Sequence, residues 1–299
     1  MILQTIQQIS CLLCLCCFLQ QSAFSQDDKD KPAYTLFDNT GKQISYGELI
    51  KRLSGYDVIF LGELHNCPIT HWLEFEITRS IYNIHKDQLM LGAEMFESDN
   101  QLIFDEYMQQ KISYDRFEAE ARLWDNYRTD YYPVVFFAKE HHIPFIATNI
   151  PRRYANIVKN KGFEALDSLS EEAKRYIAPL PIDFEYDEAQ SAAAFSMMNM
   201  MGGRRAGDNR KLAQAQAIKD ATMGWFIARN IKNKFLHING SYHSNRQGGI
   251  IPYLLRYRPN TSIVTVTSVR QESIRKLDDD HKGLADFYIC VPEDMVNSY

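Results

Sequence analysis

The chain has 299 residues, 45% of them hydrophobic and 24% charged, with a formal net charge of −5. That balance supplies one globular domain with ample core, and its acidity excludes a nucleic-acid surface as the main business of the protein. Beyond the N-terminal segment, no apolar run is long enough to span a bilayer.

The first 25 residues stand apart. Ile9 to Phe18 is an apolar stretch of h-region length, Ala23-Phe24-Ser25 has the small-residue pattern of a cleavage site, and the acidic run Gln26-Asp27-Asp28-Lys29-Asp30 follows at once. Residues 1–25 are therefore read as a signal peptide that sends the protein to the periplasm or cell envelope, although no Lys or Arg precedes the apolar stretch. The alternative is a buried N-terminal helix. Cys11, Cys14, Cys16 and Cys17 fall inside this leader, which leaves only Cys67 and Cys290 in the mature chain. Two cysteines make no disulfide framework, though they allow one bridge. A lipid anchor on Cys17 is weakly supported, because Cys14-Leu15-Cys16 makes a poor lipobox.

Residues 26–299 read as a single domain, opened by a charged tether over 26–32. Tyr34–Asp38 alternates like a short strand, Asn39–Lys42 is a turn, and Ser45 caps a helix over Tyr46–Leu53. Strands and helices then alternate: a strand over Asp57–Leu61, a helix over Ile69–His85, a strand over Leu89–Met95, a helix over Pro133–His142 and a strand over Ile143–Thr148. A long helix over Asn209–Asn230, a strand over Phe235–Asn239, a helix over Gly248–Tyr257 and strands over Ser262–Thr267 and Phe287–Val291 complete the series. This pattern predicts an α/β fold, a parallel-rich central sheet with helices on both faces. Two insertions, near 98–131 and 150–208, break the alternation and are expected to form a helical cap over the strand carboxyl edge.

Two strand signals end alike, in Gly62-Glu63-Leu64-His65 and in Gly240-Ser241-Tyr242-His243. Each glycine permits a sharp exit from a buried strand, and each histidine then lies at the carboxyl edge, where open α/β sheets bind ligands. The strand ends together deliver Glu63 and His65; Glu94, with Glu97 beyond it; Thr148 and Asn149, followed by Arg152 and Arg153; and Tyr242 and His243. His65, Glu94 and His243 could bind a divalent metal such as zinc, manganese or iron. The same groups with Glu63 could do general acid–base work as a His/Glu hydrolase. The plain alternative is a hydrogen-bonded network that ties loops together at the sheet edge.

The other histidines carry weaker signals. His141 and His142 read as solvated helix-end residues, His71 as a cap or surface residue of the first crossover helix, and His237 as a satisfied residue within its strand. The run Trp124 to Tyr132 holds Tyr127, Tyr131 and Tyr132, which either line a pocket for a flat ligand, where a phenolate can bind ferric haem, or form the packed base of a cap helix. Phe195 to Arg205 is rich in methionine and suits an adaptable apolar surface, with arginines able to meet carboxylates, or else a helix packed on the core.

These residues carry a family resemblance. Leu61-Gly62-Glu63-Leu64-His65-Asn66, Leu91 to Phe96, Thr148 to Arg152, Lys219 to Met223 and Asn239 to His243 resemble, in order, the motifs of the ChaN-like family of iron-regulated, haem-binding envelope proteins. The resemblance runs from about residue 34 to 292. It implies a non-catalytic role in haem and iron acquisition, haem as cofactor and ligand, a homodimer that holds haem between subunits through a tyrosine, and outer-membrane haem-uptake components as partners. Tyr127, Tyr131, Tyr132 and Tyr242 are all candidates for that tyrosine, and Arg152 for a haem propionate. The same framework is similar to a wider group of erythromycin-esterase-type hydrolases and TIKI-type proteases. There the paired Gly-x-x-His motifs with Glu63 or Glu94 imply a metal-bound water as nucleophile.

Overall fold

The computed structural model describes residues 31–186 and 208–299, and its compact unit runs Tyr34–Tyr299. The leader and the Met-rich stretch Phe195 to Arg205 lie outside the described residues. The strands are β1 (Thr35–Asp38), β2 (Val58–Glu63), β3 (Leu89–Glu97), β4 (Phe145–Asn149), β5 (Lys234–Gly240), β6 (Ile263–Gln271) and β7 (Phe287–Pro292). They form one sheet in the order β1-β7-β6-β2-β5-β3-β4, parallel throughout except for β1 against β7. The predicted parallel-rich α/β fold is the fold observed.

Helices α1 (Tyr46–Leu53), α2 (Pro68–His85), α3 (Gln101–Met108), α4 (Tyr114–Glu120), α5 (Tyr132–Glu140), α6 (Arg152–Lys161), α7 (Glu171–Lys174), α8 (Asn209–Asn230) and α9 (Ile250–Tyr257) surround the sheet. Side chains alternate across a strand, and β2 shows the consequence. Ile59 and Leu61 pack with Leu73, Ile77 and Ile81 of α2, whereas Val58 and Phe60 pack with Met223 and Ile227 of α8 and with Ile250, Ile251 and Leu254 of α9. Both faces are covered, so the central strands read as continuous apolar runs. The two Gly-x-x-His strands are immediate neighbours, with Gly62 opposite Asn239 and Glu63 opposite Gly240.

The insertion near 98–131 does not all roof the site. Its helix α3 begins beside the open edge of β4, where the Gln101 side chain accepts from Ala147 N at 2.7 Å and donates to Phe145 O at 3.0 Å. One amide thus satisfies an edge strand that would otherwise expose its ladder groups. Residues 122–131 do reach the carboxyl edge, as Asn126 donates to His65 O at 3.2 Å. The described part of the second insertion packs Tyr154, Ala155, Val158 and Leu166 against Ala215 and Ile218 of α8.

Gly224 of α8 sets how closely α9 approaches. A Cβ there would stand 2.9 Å from Leu254 N and 3.1 Å from Ile250 O, both backbone atoms. Gly224→Ala is therefore expected to lower stability by about 1–2 kcal/mol, overpacking outweighing the better helix propensity of alanine. The midpoint of urea unfolding checks this; an unchanged or higher midpoint would show that α9 shifts freely.

Candidate functional site

Glu63 is the last residue of β2 and points to the α2 face, where it is 1% exposed. Its Oε1 accepts from His65 Nδ1 at 2.5 Å and from the Tyr131 hydroxyl at 2.8 Å. Its Oε2 lies 3.4 Å from His71 Nδ1, and Glu74 Oε2 lies 3.2 Å from the same nitrogen. The other nitrogen of His71 faces His65 O at 3.1 Å and Asp130 Oδ2 at 3.4 Å. Burial pushes the Glu63 carboxyl up, but the hydrogen bond from His65 and the His71 imidazole beside it reverse this and hold it at about 2. Burial disfavours charge on His65, yet the bond to Glu63 and the charges of Glu63 and Glu94 leave its pKa raised. Tyr131 is pushed far up by burial and then by the Glu63 charge, so it is a neutral donor.

Glu94 points to the opposite face of the sheet, toward α8. Its Oε2 accepts from Gly240 N at 2.9 Å, and its Oε1 lies 3.2 Å from His243 Nε2. The Nδ1 of His243 donates to Asp220 Oδ1 at 2.5 Å. With a carboxylate on each nitrogen His243 is an imidazolium: burial opposes the charge, but Glu94 and Asp220 raise its pKa to about 10. Burial raises Glu94, and the His243 charge then carries it far below the carboxylate range; Asp220 stays raised by burial. His237 on the same face is held at about 4 by burial, hence neutral, and bonds Thr148 at 2.8 Å and Asn239 at 3.0 Å.

His65 joins the two halves at the edge. A Cβ on Gly240 would lie 2.7 Å from His65 Nε2 and 3.5 Å from Glu94 Oε2, so only glycine admits the ring. A Cβ on Gly62 would meet Ser241 Cα at 3.0 Å and Val266 O at 3.1 Å. Both glycines thus serve close approach; neither takes the left-handed turn conformation. Trp124 covers His65 edge-on, with ring centroids 5.0 Å apart.

Of the expected metal set, Glu94 and His243 touch, and His65 Nε2 stands beside Glu94; both nitrogens of His243, however, already face carboxylates. Glu63–His65 and Glu94–His243–Asp220 are carboxylate-oriented imidazoles, an arrangement able to hold or move protons. Glu74, Asn126 and Asp130 were not named as site residues by the sequence reading, Asp220 entered only within the motif Lys219 to Met223, and His71 only as a cap or surface residue. His71 departs from its expected surface role: it is 5% exposed and wedged between Glu63 and Glu74. The available signal was the polar face of α2, where Thr70, Glu74 and Thr78 recur at helical spacing and are all buried. Cys67 and Cys290 are buried and free, so the bridge that the sequence allowed is not made.

The candidate tyrosines separate by exposure. Tyr127 is 2% exposed and packed against Phe96, Phe117 and Tyr132, and Tyr131 is tied to Glu63, so neither phenol oxygen reaches an external ligand. Tyr132 is half-buried against Tyr114 and Phe136. Tyr242 is 37% exposed, in the turn that follows β5, edge-on to His243 at 5.3 Å. Partial burial and then the Asp220 charge push its phenol up to about 12. The Arg152 side chain is exposed, 4.0 Å from Glu97, which also accepts from Arg122 at 3.0 Å.

The family model described as "Haem-binding uptake, Tiki superfamily, ChaN" matches residues 49–254, more than half of the chain. The chain belongs to this family. Among solved structures, the ChaN-type fold is shared with ChaN of Campylobacter jejuni, a structure described as cofacial haem binding. That likeness has a TM-score of 0.66 at 20% identity and covers 90% of this chain and 98% of that one. A Bacillus cereus protein of solved structure matches with TM-score 0.46 and 12% identity over 87% of this chain and 95% of its own. An erythromycin esterase in its open conformation matches with TM-score 0.45 and 10% identity over 86% and 83%. No curated protein matches the chain.

Proposed function

We propose that this ChaN-type protein is an exported haem-binding protein of the cell envelope, working in haem and iron acquisition, with Tyr242 as the iron ligand. The observation that carries the ligand assignment is the position of Tyr242. Of the four candidate phenols it alone stands open to solvent at the sheet's carboxyl edge, and its hydroxyl takes no hydrogen bond among the described residues. The residues fit the group. A phenolate suits ferric haem, and Arg152, with an exposed guanidinium, suits a propionate. Bound haem would supply a ferric centre for oxygen ligation; the protein's part is to present the phenol and keep His243 charged beneath it.

Export is supported by the leader pattern of residues 1–25, and uptake by the family's description. The cofacial haem binding described for the Campylobacter jejuni protein supports a second copy of the chain as a partner, with outer-membrane uptake components as the source. The hydrolase alternative is not favoured by the family.

A haemin titration of residues 26–299 tests the reading. Saturable, stoichiometric binding with a high-spin phenolate-type spectrum is expected. Weak, non-saturating absorbance would reject it and direct attention to the Glu63–His65 edge.

A further inference from the structure

We propose that Glu63, His71 and Glu74 form a buried binding site for a divalent transition-metal ion between β2 and α2, separate from the haem surface. Their donor atoms all lie within 4.8 Å of one another, and all three residues are buried. Glu63 Oε2 and Glu74 Oε1 have no hydrogen-bond partner, although each residue is only 1% exposed. An unpartnered carboxylate oxygen in the interior is expensive, and Glu63 Oε2 lies 3.4 Å from His71 Nδ1, beyond ordinary hydrogen-bond length.

The spacing fits co-ligands of one ion. Charge-assisted hydrogen bonds are short, about 2.7–2.9 Å, and the neighbouring pairs His65–Glu63 and His243–Asp220 close to 2.5 Å. His71 Nδ1 lies farther from its carboxylates, hydrogen-bonded to Glu74 Oε2 at 3.2 Å and 3.4 Å from Glu63 Oε2. Ligand atoms about 2.0–2.1 Å from a tetrahedral zinc ion lie roughly 3.3 Å from each other.

The surrounding contacts orient the set. The Nε2 of His71 faces two acceptors, His65 O at 3.1 Å and Asp130 Oδ2 at 3.4 Å, which turns its Nδ1 toward Glu63 and Glu74. Asp130 is itself held by Asn126 at 2.7 Å and by Ser298 at 2.8 Å. A carboxylate behind a ligating histidine is the usual outer support of a zinc site. One imidazole and two carboxylates select zinc, manganese or iron over softer or larger ions. Such an ion neutralises charge where three carboxylates surround one imidazole. It also fixes Glu63, whose Oε1 orients His65 at the site edge.

The test uses zinc chloride added to haem-free, chelator-treated protein, with bound metal measured after dialysis. One zinc per chain is expected, with a raised Tm; Glu74→Gln should weaken binding by at least about 100-fold, while Glu94→Gln should retain it. Absence of stoichiometric zinc, retention in Glu74→Gln, or loss in Glu94→Gln would each overturn the site. Should Glu74→Gln fail to fold, X-ray absorption of the zinc-loaded natural protein decides. One imidazole with oxygen ligands supports the site, and sulfur or two imidazoles overturn it.

Discussion

His243→Ala is expected to destabilise the protein by about 3–5 kcal/mol at pH 7, because it strands Glu94 and Asp220 in the interior without their cation. Both carboxylates are buried, and both close on the same ring. The pH dependence identifies the cause. In the folded protein His243 titrates at about 10, well above the ordinary histidine value of 6.5. A raised pKa gives stability that is fully present below about 6.5 and is lost as pH rises through 10. The wild type should therefore weaken from pH 7 to 10, and the variant should lack that component. With no imidazolium, at least one of Glu94 and Asp220 must take up a proton to stay buried, so the variant becomes most stable in acid and loses stability as pH rises above about 4. Urea unfolding at several pH values measures both slopes. A loss below about 1 kcal/mol at pH 7 with an unchanged slope would mean that water reaches the pair.

Local rules carried the fold a long way, and particular elements show why. Ser45 accepts from Glu48 N at 3.2 Å and starts α1 where an N-cap serine should. The helix Asn209–Asn230 has its expected bounds, since Asp208 caps its start and its faces are packed on the sheet and on α9. Strand ends were harder to place, because partners set them. β6 continues past Thr267 to Gln271, drawn on by pairing with β7 as far as Pro292. The site was legible at Glu63, His65, Glu94 and His243, which local motifs mark. The role of Asp220, inside the motif Lys219 to Met223, was not legible, because its tie to His243 depends on α8 packing against the sheet, a contact between residues 23 apart in sequence. Nor did local sequence show that Glu63 and Glu94 serve opposite faces of the sheet, with His65 between them. That follows from the parity of each strand and from the insertion of β5 between β2 and β3.

Tyr242→Phe is expected to lower ferric haem affinity by at least about 10-fold and to abolish the phenolate charge-transfer band, while Tyr132→Phe leaves both in place. The substitution removes one oxygen that has no hydrogen bond among the described residues, from a ring that is 37% exposed, so stability should be unchanged. A second signature separates ligation from simple stacking. The phenol sits at about 12 and must give up its proton to bind ferric iron. Binding through Tyr242 therefore releases a proton, and affinity should rise with pH over the range below 12. In Tyr242→Phe that slope should vanish even if residual binding persists. An unaltered spectrum together with an unaltered slope would remove Tyr242 from the coordination sphere. Burial of the phenols of Tyr127 and Tyr131 would then leave Tyr132 as the remaining candidate.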